Sequence, residues 1–418
     1  MLNCKKNPNI VFSADNILNL INKYRSPIWI YDSNIMLERI ENLRKFDVIR
    51  FAQKSCSNIH ILKFFKKNGV KIDAVSLGEI ERGLIAGYNL SNQDIVFTAD
   101  VIDRYTLNTI KKYQIPVNVG SIDMLQQIGI VSPGHCIWLR INPKFGYGHS
   151  KKTNTGGENS KHGIWDINLA MPFIKKYNLK LIGLHMHIGS GVNDKFLYRV
   201  CQEMVKQVLN FNHDIQVISA GGGLTVPYKL CDNVFDISRY FTLWDAARRE
   251  ISNYLNHAIK LEIEPGRFLV AESGILVSEV RSIKQTSSKL FVLVDAGFND
   301  LMRPVMYGSY HYISVLAGDG RMINEENTIE TVIGGPLCES GDVFTQNECG
   351  DVEIRMLPRV KIGDYLIFHN TGAYGASMSS NYNSRPLIPE IFFENGNFRL
   401  IRKRQTIKQL LELETSCL

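Results

Sequence analysis

Short runs rich in β-branched residues recur through the first two thirds of the chain, and between them apolar residues fall at intervals of three and four. The runs read as buried strands and the stretches between them as amphipathic helices. Strand and helix in regular alternation predict parallel pairing, because a parallel neighbour requires a crossover. Eight strands are expected, at 47–52, 70–75, 94–98, 115–119, 136–141, 181–187, 216–220 and 260–264. Eight such units are what a (β/α)8 TIM barrel requires, and its functional side chains gather at the strands' C-terminal ends.

Beyond about Gly274 the texture changes. Apolar runs at 275–280, 290–294, 328–333 and 365–369 are separated by Gly- and Asn-rich turns without regular helices, which predicts an antiparallel β-domain. The early run 28–31 precedes the first barrel strand and is expected to pair within that domain. The chain is therefore divided into a barrel over 32–274 and a β-domain assembled from 1–31 plus 275–418. One stretch, Gly146 to Gly163 (GYGHSKKTNTGGENSKHG), is too long and polar for an ordinary connection. It reads either as a lid over the strand ends or as a surface excursion.

Composition narrows the class. With 418 residues, 44% hydrophobic and 21% charged, the chain can bury sizeable cores without staples. The 48 basic and 41 acidic side chains leave a net charge of +7, spread along the sequence rather than concentrated. The densest basic run, Arg399 to Lys408, is interrupted by Leu400 and Ile401 and lacks interleaved aromatics, so it reads as a solvated edge strand and no nucleic-acid partner is expected. The eight cysteines are scattered without metal-ligand spacing, so neither a metal site nor a disulfide framework is expected. With no apolar leader in the first 27 residues and no run long enough to span a membrane, a cytoplasmic enzyme without a membrane partner is the expectation.

The strand ends then supply chemistry. Lys54 follows the first barrel strand in RFAQKSCSN, where a lysine in a closed pocket loses charge readily and can condense with an aldehyde. The seventh strand runs into Gly221, Gly222 and Gly223, whose bare backbone N–H groups suit a phosphate. The eighth ends in Glu264-Pro265-Gly266-Arg267. A buried carboxylate there can keep a heterocyclic nitrogen protonated, and the guanidinium suits phosphate or carboxylate oxygens. The sixth ends in His185-Met186-His187, followed by Ser190. His187 suits stacking on a planar cofactor and Ser190 donation to its phosphate, whereas His185 reads as a hydrogen-bonded core histidine.

Taken together, FAQKSCSNIHILKFF, DAVSLGEIERG, HMHIGSG, SAGGGL, EPGRFLV, GPLCESGD and TGAYGASMSSNYNSRP resemble the group IV pyridoxal-phosphate decarboxylases, whose barrel is of the alanine racemase type. The resemblance runs in order from about Arg25 to Lys408. It implies pyridoxal 5'-phosphate as cofactor, Lys54 as the Schiff-base lysine, Glu264 as partner of the pyridine nitrogen and His187 as the ring on the cofactor face. Ser190, Gly223, Gly266 and Arg267 match positions around the phosphate and the adjacent substrate carboxylate, Tyr374 a tyrosine that reaches the cofactor, and Asp73 an acidic residue near Lys54. Cys338 matches a proton donor supplied by the partner subunit, so a homodimer with shared sites is implied. Glu339 matches the residue that binds the substrate's distal amino group.

Arg303 and Tyr307 match a clamp on a distal carboxylate, for which a bidentate arginine is well suited. Relatives acting on ornithine or arginine have no such carboxylate to hold. The resemblance therefore implies decarboxylation of meso-2,6-diaminopimelate to L-lysine, the last step of lysine biosynthesis, with a carboxylated polyamine as the remaining alternative. Glu264 argues against a racemase, which in this barrel class has an arginine beside the nitrogen. One departure is Ser55, where many relatives carry alanine.

Overall fold

The computed structural model describes residues 12–148, 151–190, 194–229 and 231–417, which form two compact units. One comprises Glu38–Thr225 and Val234–Leu269; the other comprises residues up to Leu37, Val226–Asn233, and Val270 onward. In chain order the strands are β1 (Ile28–Asp32), β2 (Val48–Ala52), β3 (Lys71–Ala74), β4 (Ile95–Ala99), β5 (Val117–Val119), β6 (Cys136–Ile141), β7 (Lys180–Met186), β8 (Val217–Ser219) and β9 (Lys260–Ile263). They continue with β10 (Gly274–Gln285), β11 (Leu290–Val294), β12 (Ile313–Leu316), β13 (Thr328–Gly334), β14 (Arg355–Pro358), β15 (Tyr365–Phe368), β16 (Glu390–Glu394) and β17 (Asn397–Arg402).

Strands β2 to β9 form a closed parallel barrel in sequence order, sealed where Val48 and Ile49 of β2 pair with Glu262 and Ile263 of β9. All eight coincide with the expected runs, trimmed by one or two residues at most ends. The helices between them start where polar caps allow. Asn58, Ser76, Asp103, Ser121 and Asp236 each accept a backbone N–H at the head of the following helix. Their amphipathic faces bury residues such as Ile61, Phe65, Ile80, Ile110, Leu125 and Trp244.

The second unit is a nine-stranded sheet in which β1 lies between β10 and β16. The expected early run is thus a strand of this sheet, with Trp29 opposite Leu276 on one side and Glu390 on the other. Helix Ala14–Tyr24 contributes Ile17, Leu20 and Ile21 to a core with Ile28, Ile30, Ile275, Val277, Ile367 and Ile391. Long β10 pairs with β1 and β15 along its first half and with β11 along its second, with a register shift between Val280 and Ser282.

The purely antiparallel expectation needs correction, because β1 pairs with β16 and β11 with β13 in parallel. Those strands are far apart in sequence, so no hairpin dictates their direction. The edge-strand reading of the basic run holds for β17, which ends the sheet at Arg402. Thr406 and Gln409 then form a capping box that starts helix Ile407–Thr415, so the end of that run is helical instead.

Candidate active site

The strand register of the barrel builds the site before any ligand is considered. Arg140 on β6 stands beside His185 on β7, and His185 beside Ser219 on β8. These side chains converge on Glu264, the residue that follows β9. His185 Nε2 donates to Glu264 Oε2 at 2.9 Å, and Ser219 Oγ donates to Oε1 at 2.9 Å. Glu264 is only 8% exposed and His185 2%. Burial alone would push the Glu264 carboxyl up, but the adjoining His185 imidazole, the Arg50 charge and the two hydrogen bonds hold it below the usual carboxylate range.

The glycine run after β8 is set by close approach. Gly221 has φ +61, and a Cβ there would lie 2.4 Å from Met186 O; a Cβ on Gly223, at φ +98, would lie 2.1 Å from Gly189 O. Gly222 is equally closed, with Glu264 O 2.4 Å from the Cβ position. The start of the turn is tied down, because Gly221 N–H donates to Ser219 Oγ at 3.1 Å and Glu264 N–H donates to Gly221 O at 2.8 Å. His187 flanks the same turn, its Cε1 lying 3.3 Å from the Gly223 Cβ position. Burial, Arg140 and Lys54 together press its imidazole well below the usual histidine range, so it is neutral.

Lys54 sits on a 3-10 turn (Gln53–Ser55) directly after β2, with its side chain exposed and its charge acting on Asp73, Glu79 and His187. The Ser55 departure closes that turn, its hydroxyl donating to Ala52 O at 3.0 Å. Gly266 packs against the same turn, 3.2 Å from Ala52 O and Ser55 Oγ at its Cβ position, and Arg267 opens the short helix that follows. Asp73 is 5% exposed, and its Oδ1 has no hydrogen-bond partner among the described residues. Burial and the nearby Glu264 charge drive its carboxyl well above the usual range, against Thr98 and Lys54.

The described part of the long loop is anchored at the end of β7. Tyr147 and Thr155 N–H groups both donate to Ile188 O, at 3.1 and 3.2 Å, and Ser190 N–H donates to Thr153 O at 3.2 Å. Thr155 Oγ donates to His187 O at 3.0 Å. His162 of the loop pairs with Asp100 after β4, and that pairing with the Arg140 charge holds Asp100 below its ordinary value despite burial. These contacts tie the described part of the loop to residues at the strand ends. Gly191 of the HMHIGSG motif lies outside the described residues.

Ten expected residues, Lys54, Asp73, His187, Ser190, Gly221, Gly222, Gly223, Glu264, Gly266 and Arg267, thus belong to C-terminal strand ends of one barrel. The other five lie in the β-unit. Arg303 is buried, donates to His311 Nε2 at 2.9 Å, and lies 4.6 Å from the Tyr228 ring centroid; Tyr307 ends the same short helix, half-buried. Cys338 and Glu339 are exposed, and Cys338 N–H donates to Asn383 Oδ1 at 2.8 Å. Tyr374 has φ +58, a left-handed conformation uncommon for an aromatic residue and of a kind that clusters at functional sites.

Sequence reasoning missed Arg140, Ser219 and Asp100, for which the only signal was a polar side chain inside a buried strand or at its end, and His162 of the loop, which carried none. Pyridoxal phosphate fits what is present: a reachable amine, a buried ionised carboxylate, a glycine turn closed to side chains, and the Oδ1 of Asp73 and Nδ1 of His187, which have no hydrogen-bond partner among the described residues. Among the described residues no group of three His, Cys, Asp or Glu is placed to hold a metal ion.

The family model for the pyridoxal binding domain of pyridoxal-dependent decarboxylases matches residues 36–271. A diaminopimelate decarboxylase of Buchnera aphidicola is 67% identical over 408 residues, covering 97% of this chain and 98% of that protein. The Escherichia coli enzyme of the same name is 62% identical over 406 residues, covering 96% and 97%. A crystal structure of a diaminopimelate decarboxylase superposes with a TM-score of 0.95 at 61% identity, covering 98% of each chain. With a parallel barrel bearing these side chains and likeness along almost its whole length, the chain belongs to the diaminopimelate decarboxylase family of pyridoxal-dependent decarboxylases.

Proposed function

We propose that this chain removes CO2 from meso-2,6-diaminopimelate to give L-lysine, the last step of lysine biosynthesis, with pyridoxal 5'-phosphate as cofactor. The observation that carries the reading is Glu264, a buried carboxylate kept ionised by donors on both oxygens at the end of β9. When bound, the cofactor supplies an electron sink for the pair left as the carboxylate departs. Lys54 would hold it through its amine, and Glu264 would take the hydrogen bond of its ring nitrogen. The neutral His187 imidazole would lie on its face, with Asp73 nearby. Ser190, Gly221, Gly222, Gly223, Gly266 and Arg267 would receive its phosphate, and Tyr374 would reach it from the β-unit.

The remaining residues act on the substrate. Arg267 and Tyr374 bind its reacting end, Arg303 and Tyr307 clamp the distal carboxylate, and Glu339 takes the distal amino group. Cys338 Sγ delivers a proton to the carbon that has lost CO2, becoming a thiolate that solvent reprotonates. Cys338 and Glu339 serve the site of a second copy in a homodimer. Among the described residues no helix is long and apolar enough to cross a membrane.

The test is to load purified protein with pyridoxal phosphate and assay lysine and CO2 from diaminopimelate beside ornithine, arginine and carboxynorspermidine. Lysine formed from diaminopimelate, with the other three inert, is the expected result. Faster turnover of any other substrate overturns the assignment.

A further inference from the structure

The two histidines of HMH divide their work. We infer that His185, rather than serving as passive core, is the positioning residue that orients Glu264 and keeps it an acceptor for the cofactor's ring nitrogen; this rests on the reading of Glu264 given above.

Three observations carry it. First, the contact is direct and enclosed: His185 Nε2–H reaches Glu264 Oε2 at 2.9 Å, with both side chains almost wholly buried. Second, His185 Nδ1 has no partner among the described residues, so the ring is not held for its own satisfaction; its hydrogen bond goes to Glu264 alone. Third, the opposite carboxylate oxygen is taken by Ser219 Oγ, which is itself fixed by Gly221 N–H. A carboxylate has about four lone-pair sites, so one donor per oxygen fixes its plane and leaves sites for a further donor. A buried carboxyl without those donors would gain a proton and stop accepting. The arrangement also explains the spacing in HMH. His187 directly follows β7, and alternate residues of an extended chain point the same way, so one histidine can contact the carboxylate while the other flanks the glycine turn.

The experiment uses enzyme loaded with pyridoxal phosphate labelled with nitrogen-15 in its ring, without substrate, so that the shift reports protonation of that nitrogen. His185→Gln places an amide N–H where Nε2 stands; His185→Asn is too short to reach Oε2, and His185→Leu removes the donor. In wild type and His185→Gln the ring nitrogen is expected to be protonated. In the Asn and Leu variants it moves toward the neutral value, and kcat falls roughly ten- to a hundredfold with little change in KM, as for other residues that orient a directly acting ligand. If the Leu variant fails to fold, the Gln and Asn pair carries the comparison. A wild-type ring signal in His185→Asn, or equal losses in Asn and Gln, overturns the inference. Glu264→Gln separates the two levels: a neutral ring there beside a protonated ring in His185→Asn rejects the role of His185 alone. A protonated ring in Glu264→Gln rejects the reading beneath it.

Discussion

Asp73 and Glu264, two buried carboxyls at the C-terminal ends of barrel strands, are driven in opposite directions: Glu264 is held below its ordinary value and Asp73 is pushed well above. The charge on one raises the other, because a like charge nearby disfavours ionisation. Donors decide which yields. Glu264 has His185 and Ser219, whereas Asp73 Oδ1 has no partner among the described residues. Such a split assigns the permanently charged role to Glu264.

The assignment has a kinetic consequence. Glu264→Gln keeps the shape and removes the charge, so turnover of diaminopimelate should drop by on the order of a hundredfold or more, the scale seen when a preorganised electrostatic contact is lost. Steady-state rates decide it, and wild-type kcat in this variant removes Glu264 from the chemistry.

It also has a stability consequence with a definite sign. A carboxyl whose folded-state affinity for protons is raised favours the fold while protonated, and that contribution is lost as pH rises above its unfolded value toward its folded one. Asp73→Asn removes the penalty. The variant, compared without cofactor, should therefore melt above wild type near pH 8 and match it near pH 4, by about 2–4 °C for each kcal/mol relieved. Calorimetry across that range tests it; a constant offset at every pH would mean that the Asp73 charge is not the cause.

The glycine turn offers a comparison internal to the molecule. Gly223 and Gly396 both have positive φ, but a Cβ on Gly223 would strike Gly189 O whereas Gly396 has open space around it. Gly396→Ala should cost only the conformational penalty of about 1 kcal/mol. Gly223→Ala adds overpacking of roughly 1–3 kcal/mol and should also weaken pyridoxal-phosphate binding. Denaturant unfolding and cofactor titration measure the two effects, and equal costs would show that the Gly223 turn relaxes freely.

Arg303 is packed against the Tyr228 ring and donates to His311 Nε2. An arginine presents its donors in a rigid planar fork that can grip both oxygens of a carboxylate, whereas lysine offers a point charge. Arg303→Lys should raise KM for diaminopimelate roughly ten- to a hundredfold, the worth of a hydrogen bond to a charged group, and change kcat much less. An unchanged KM would place the distal carboxylate elsewhere.

The eight barrel strands were legible because a strand covered on both faces reads as a continuous apolar run. Lys54, His187 and Glu264 stood out because they close such runs. Arg140, His185 and Ser219 lie inside them, and their meaning came only with the register that sets the three side by side. Strands β12, β14 and β16 are only four or five residues long, so their pattern was too weak to separate from turns. The helix Ile407–Thr415 carried a readable signal, Thr406 followed three residues later by Gln409, that the surrounding positive charge obscured. The parallel pairings of β1 and β13 depend on long-range topology that no local pattern records.

Cys338 lies in the β-unit and Lys54 in the barrel unit, and the proposal that they come from different copies has a direct test. Lys54→Ala and Cys338→Ala should each be nearly inactive as pure proteins, the first without its cofactor anchor and the second without its proton donor. After the two are mixed in equal amounts and allowed to exchange subunits, half of the dimers are hybrids. Each hybrid carries one site with both substitutions and one with neither, since a two-fold axis places every residue in two equivalent settings. Activity should return to about a quarter of the wild-type level. If both residues of a site belong to the same chain, every site in the mixture lacks one of them and no activity returns.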